Sequence, residues 1–335
     1  PARLLRSKQR TLSIRLGTMK KRKVLIVKLG YTETLEKNWS TETVSLGDIF
    51  RTTPILHLFK NDYIVWLTTS EGKQLLEDNP YIDRLMIYDL TSTLQLQREQ
   101  FDIIINLERV PGVCALTDSI PAWNRYGFRF DSQKGSSAAY DSAFDVISAG
   151  DKPELRKKMN LHWIEMLYQV LRKEWKSQSY ILGYKPQTKE SFDIGFNFRV
   201  GKKWPTKAWP MEYWKKLEKL IGKKHSISWQ ESPEDIKGYI DWLNQCKLIV
   251  TNDSLGLHLA IALKKKVVAL FSSTPSSEVH LFGLGEKLTP TIKCKLFPCI
   301  NAKCETQKNC IEKILPETVL ESITRTFKNE TNKNT

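Results

Sequence analysis

Long apolar runs are missing from this chain. The longest uncharged, mostly apolar stretch, Leu255–Leu263, has nine residues, whereas a membrane-spanning helix needs about 20. Glycine and proline are sparse, 16 and 14 in 335 residues, which excludes collagen-like and low-complexity chains. Cysteines number only six, and in a chain without a secretory signal they are expected as reduced thiols or metal ligands, not as a disulfide framework. Acidic residues are absent from the first 23 positions, which hold nine Lys and Arg. That segment also lacks an apolar core followed by a small-residue cleavage site, so it does not read as a signal peptide. The expected location is the cytoplasm, with thiols reduced or bound to metal.

What is present is enough apolar material to build cores: 41% hydrophobic residues, with 10 Trp, 11 Tyr and 13 Phe. The length suggests two domains at roughly 150 residues each. The net charge of +15 is uneven. Without the nine leading bases, 43 of the 52 basic residues face 37 acidic ones. Residues 1–22 therefore read as a basic leader, solvated or drawn to anionic surfaces, with Met19 as a candidate start. The folded body lacks the excess that a nucleic-acid partner would call for.

Along the chain, short β-branched runs alternate with helical spacing. Strands are predicted at Val24–Leu29, Tyr63–Thr69, Arg84–Tyr88, Phe101–Leu107 and Arg125–Phe128. The small, polar stretch Lys134–Asp151 reads as a loop, and Glu154–Trp175 as one long helix. Gly183–Glu190 reads as a linker. A second series follows, with strands at Phe192–Phe198, His225–Trp229, Lys247–Thr251 and Lys266–Phe271. Its helices are expected at Met211–Ile221, Asp235–Gln245, Leu255–Leu263 and Pro316–Phe327. Such alternation implies an α/β chain of two doubly wound parallel sheets facing across a cleft. The expected divisions are 1–22, 23–185 and 186–328. Ligands in such sheets lie beyond the carboxyl ends of strands, and three polar clusters stand there.

The first is Ser45-Leu-Gly-Asp48-Ile-Phe-Arg51-Thr-Thr-Pro54. Asp48 can cap a helix, or act as a general base if it reaches an acceptor hydroxyl. The second runs from Asn197 to Pro210 and holds Lys202, Lys203, Thr206 and Lys207. It reads as a basic surface loop or as a diphosphate grip. The third, Val250-Thr-Asn-Asp253-Ser254-Leu-Gly256-Leu-His258, passes from an apolar strand straight into a helix. Asp253 and His258 are either a cap and a satisfied half-buried histidine or part of a phosphate site.

Taken together and in this order, the clusters resemble the family 9 glycosyltransferases, the heptosyltransferases of lipopolysaccharide core synthesis. The resemblance covers about residues 23–325. It includes Phe101-Asp-Ile-Ile-Ile, Lys207-x-Trp-Pro, Asn252-Asp-Ser…His258-Leu-Ala and the tail Ile314…Pro316-Glu-Thr-Val319. It implies a GT-B fold and transfer with inversion at the anomeric carbon. The implied reaction moves a sugar, heptose from ADP-heptose, onto lipopolysaccharide core or another surface glycan. It implies Asp48 as the catalytic carboxylate and Lys207 on the donor diphosphate. Asp253, Ser254, Gly256 and His258 would hold donor phosphate and sugar, with Thr206, Lys203 and Glu231 beside them. No cofactor is implied for catalysis. The implied partners are a nucleotide-sugar donor and a glycolipid or protein acceptor, with peripheral contact at the inner face of the inner membrane. Alternative readings are a non-catalytic nucleotide-sugar binder and a heptosyltransferase acting on autotransporter adhesins.

The chain departs from the family in three places. A polar insert of about fifteen residues separates the opening strand from Gly47-Asp48. The family's Asp-Thr-Gly becomes Asp253-Ser-Leu-Gly256, and the loop from Lys223 to Ile236 is short. A fourth cluster, Cys294, Cys299, Cys304 and Cys310, lies in this same half. Its thiols suit a structural zinc or iron site, free cysteines or a disulfide. Within the family, members that modify autotransporter adhesins carry a cysteine-rich finger that holds iron. Cys114 and Cys246, in apolar company, are expected in the core.

Overall fold

The computed structural model describes residues 21–33, 40–159, 161–231, 235–306 and 309–331. The basic leader up to residue 20 and part of the polar insert lie outside the described residues. In the first half, strands β1 (Lys23–Val27), β2 (Tyr63–Thr68), β3 (Arg84–Ile87), β4 (Phe101–Asn106), β5 (Ala122–Asp131) and β6 (Ser136–Ala139) form one sheet. Helices α1 (Leu46–Phe50), α2 (Ser70–Leu76), α3 (Leu90–Leu96), α4 (Pro111–Ser119), α5 (Phe144–Asp151), α6 (Pro153–Lys158) and α7 (Trp163–Val170) connect or follow them. The second half contains β7 (Phe192–Asn197), β8 (Ile227–Trp229), β9 (Cys246–Asn252), β10 (Lys266–Leu270) and β11 (Gly285–Leu288). Its helices are α8 (Met211–Ile221), α9 (Ile236–Asn244), α10 (Leu255–Ala262) and α11 (Pro316–Thr331).

The first sheet has the order β3-β2-β1-β4-β5-β6, parallel except for β6. The second has the order β11-β10-β9-β7-β8 and is parallel throughout. Its order is the flavodoxin type, whereas the first follows the dinucleotide-binding type. In both, the strand order reverses direction once: between β1 and β4, and between β7 and β9. Each reversal opens a crevice at the carboxyl ends, because the flanking connections leave to opposite faces.

The strands read as apolar runs because both faces are covered. Val24 and Ile26 pack into one cluster and Leu25 and Val27 into another, all fully buried. The other face of the second sheet buries Phe196, Val250 and Leu270 against Trp214 of α8 and Val319 of α11. Cys114 and Cys246 are fully buried, as expected.

Two expectations are corrected. Lys134–Asp151 is not a loop: it holds β6 and α5. Glu154–Trp175 is two short helices, not one. His162 ends the extended break and starts α7 with a capping box, in which its ring accepts from Glu165 N–H and Glu165 accepts from His162 N–H. Apolar spacing continues across that break, so periodicity alone runs the helices together. The halves are also tied by a buried ion pair, Arg156 to Glu278, with contacts of 2.7 and 3.0 Å.

Candidate functional site

A pocket of about 290 Å³ lies between the two switch points. Asp48, Lys203, Lys207, Asp253, Ser254 and His258 all line it, joined by Glu33 and Arg51. The three sequence clusters therefore converge on one cleft. Three expected residues are not among its lining. Thr206 Oγ1 is used at 3.0 Å from the Asn301 carbonyl and 3.1 Å from Ser273. Glu231 is exposed, two residues after β8. Gly256 is backed against Asn197 and Tyr239, where an added Cβ would come within 2.3 Å of both. The glycine lets α10 approach β7 closely.

The first-half wall is built on a buried charge cluster. Lys28 follows β1 and is fully buried, with Nζ 2.5 Å from Asp48 and 3.2 Å from Glu108. Burial alone would lower its pKa, but the two carboxylates hold it above the ordinary lysine value. Glu108, just after β4, accepts from the N–H groups of Leu29, Gly30 and Thr32 and from the Thr32 hydroxyl. Gly30 has φ of +81°, a conformation that turns this loop back around Glu108. Arg51 stacks over the Trp163 ring at 4.1 Å and reaches Asp48 at 3.5 Å. Asp48 is thus fixed from two sides at the cleft.

The second-half wall is the loop after β7 and the start of α10. Lys207 Nζ lies 2.7 Å from Asp253, which also accepts from Thr274 at 2.7 Å. Burial would raise the Asp253 pKa, but Lys207 and the hydrogen bonds hold it well below the usual carboxylate range. Trp204 and Lys203 reach across the cleft to Glu33, at 2.7 and 3.5 Å. Glu33 is pushed up by burial and down by Lys203 and Lys207, and the cations prevail, holding it near 2. His258 is buried, and its pKa is lowered to about 3 by burial and by Arg51. The imidazole is neutral at ordinary pH.

Sequence reasoning passed over Lys28, Glu33, Glu108, Trp204 and Tyr180. Lys28 and Glu108 did leave a signal: a charge directly at the end of an apolar strand, where one is rarely buried unless paired. Glu33 lies in the polar insert and Tyr180 in an irregular segment, where no periodicity marks them.

The four clustered cysteines line one small apolar pocket with Leu296 and Phe297. Burial and the neighbouring thiols push Cys310 up to about 11. Four thiols on one pocket fit the donor chemistry of tetrahedral zinc or iron. Among the described residues, no three His, Cys, Asp or Glu are grouped to hold a metal ion. Among the described residues no helix is long and apolar enough to cross a membrane.

The profile of glycosyltransferase family 9 (heptosyltransferase) matches residues 232–313. No curated protein matches the chain. Solved structures do. A family 9 glycosyl transferase from Veillonella parvula DSM 2008 is 19% identical over 93% of this chain and 98% of its own, with a TM-score of 0.64. The E. coli heptosyltransferase WaaC, solved with ADP-2-deoxy-2-fluoro heptose, is 14% identical over 90% and 99%, with a TM-score of 0.58. The iron-containing dodecameric glycosyltransferase TibC from enterotoxigenic E. coli H10407 is 11% identical over 92% and 77%, with a TM-score of 0.56.

Proposed function

We propose that this chain, a glycosyltransferase with the GT-B fold and a family 9 match, transfers heptose from ADP-heptose to a surface-glycan acceptor with inversion. The observation that carries the reading is the meeting of Asp48 and the Lys203–Lys207–Asp253 group across one pocket. In a single displacement, the acceptor oxygen forms a bond to the anomeric carbon as the bond to the diphosphate breaks. The acceptor proton passes to the Asp48 carboxylate, and the charge gathering on the departing diphosphate meets Lys203 and Lys207. The ADP-heptose analogue bound by WaaC supports this choice of donor. Lipopolysaccharide core is the acceptor proposed first, reached at the cytoplasmic face of the inner membrane. A protein acceptor is the second reading, favoured by the four-cysteine segment and the likeness to iron-containing TibC.

A thermal-shift series with ADP, ADP-heptose, UDP and UDP-glucose tests the donor. A ligand at 100 times its Kd stabilises by about 2.7 kcal/mol. ADP and ADP-heptose are expected to raise the melting temperature and the uridine ligands to leave it unchanged. A shift with UDP alone would overturn the ADP reading.

The cysteine segment is proposed to close on one structural metal ion, with Cys294, Cys299, Cys304 and Cys310 as its ligands. Elemental analysis of protein purified without a polyhistidine tag is expected to find close to one zinc or iron per chain. A Cys299→Ser variant should lose it. Metal near zero, with all four thiols open to alkylation, would remove the site.

A further inference from the structure

We propose that Tyr180 is a positioning residue: it fixes His258 in the tautomer with the proton on Nε2, so that a neutral N–H faces the leaving diphosphate. The proposal rests on the donor reading above, and adds a hydrogen-bond donor that the lysines do not supply.

Tyr180 lies in the irregular segment between α7 and β7, where the chain crosses from one sheet to the other. Its hydroxyl is 3.0 Å from His258 Nδ1, and the two rings meet edge-on at 5.4 Å. Phe50 and Phe282 pack the other sides of the phenol, at 5.7 and 6.4 Å. Burial raises the phenol's pKa, so the O–H keeps its hydrogen. His258 Nδ1 is the hydrogen-bond partner of this hydroxyl among the described residues. If Nδ1 carried the proton and donated, the buried O–H would have no acceptor among the described residues. With the hydroxyl donating, both groups are satisfied: Nδ1 accepts, and Nε2 carries the hydrogen.

The ring carbon bonded to Nε2 lies toward Gly47, which lines the same pocket as His258. A Cβ added at Gly47 would lie 3.9 Å from His258 Cδ2, the carbon bonded to Nε2. His258 lines the pocket beside Lys207 and Asp253. An uncharged N–H at that place donates to a phosphate oxygen without competing for the Asp253 carboxylate as a cation would. The arrangement matches the second-sphere control by which a partner on one ring nitrogen selects the function of the other.

The first test is nitrogen NMR of the full-length chain labelled at histidine, without ligand. The His258 signals, assigned by comparison with His258→Gln, are expected to show an unprotonated Nδ1 and a protonated Nε2. A protonated Nδ1 would overturn the proposal, whether or not any donor binds. The second test is a double-mutant cycle on ADP binding by calorimetry. Tyr180→Phe keeps the ring and removes the hydroxyl, and is expected to weaken ADP about tenfold. His258→Gln retains an uncharged N–H near the Nε2 position, so Tyr180→Phe should cost less than twofold in that background. A tenfold loss in both backgrounds would make Tyr180 a packing residue only. Should Tyr180→Phe fail to fold, the NMR result on the native chain decides. If ADP binds neither protein, the donor reading fails, and the tautomer result still confirms or rejects the positioning.

Discussion

Asp48→Asn is expected to cut sugar transfer by about 10²-fold or more, while ADP binds with nearly its original affinity. The separation follows from where the groups lie. Asp48 belongs to the wall built on β1 and β4, and Lys203, Lys207 and Asp253, the proposed diphosphate grip, to the wall built on β7 and β9. Asparagine is close in shape and can still meet Lys28 through its carbonyl oxygen, but it cannot take up the acceptor's proton. The buried lysine is not stranded by the change. It keeps Glu108 at 3.2 Å and donates to the carbonyls of Thr32 and Leu107, at 2.7 and 3.2 Å. Breaking a buried pair by removing one partner costs about 3–5 kcal/mol when the other charge is left alone, so these remaining partners keep the stability loss well below that figure. Transfer rates and ADP calorimetry on the same preparation check both halves of the expectation. Transfer within a few-fold of the original would remove Asp48 from the role of base. Parallel loss of ADP affinity would mean that the charge cluster shapes the whole cleft.

The parts of this molecule that could be read in advance share one physical property: the residues advertise their surroundings through composition. Val24–Val27 and Ile103–Ile105 are apolar at every position because a parallel strand is buried on both faces. The polar clusters that follow the strands mark the carboxyl ends, and so the cleft. What escaped lacks that signature. Strand β11, Gly-Glu-Lys-Leu, is an edge strand held by backbone pairing to β10, and its residues are only partly buried. Helix α3 turns Leu90 and Leu94 outward, so its apolar spacing points the wrong way for a core. The reach of Trp204 to Glu33 is a contact between residues 171 positions apart, fixed by how the halves meet and not by either local pattern. Order and spacing carried the resemblance to family 9 glycosyltransferases; the ion pairs that hold the site are tertiary facts.

Lys207→Ala is expected to weaken ADP binding by about 10- to 100-fold while changing adenosine binding little. The structure makes this more than the loss of one contact. Lys207 Nζ is 2.7 Å from Asp253, and the pair is buried at the pocket wall. Removing the lysine takes away a cation that would meet the diphosphate. It also leaves the Asp253 carboxylate, with the Thr274 hydroxyl as its hydrogen-bond donor at 2.7 Å, facing the incoming anion. Both effects act on phosphate and neither on the nucleoside. The second can be isolated, because a Lys207→Ala/Asp253→Asn double variant removes the repelling charge. It should recover part of the lost ADP affinity, which additive damage would not do. Calorimetry with ADP and adenosine on the three proteins decides. Equal losses for the two ligands would make Lys207 a structural partner of Asp253, and an affinity no better in the double variant would rule out the repulsion.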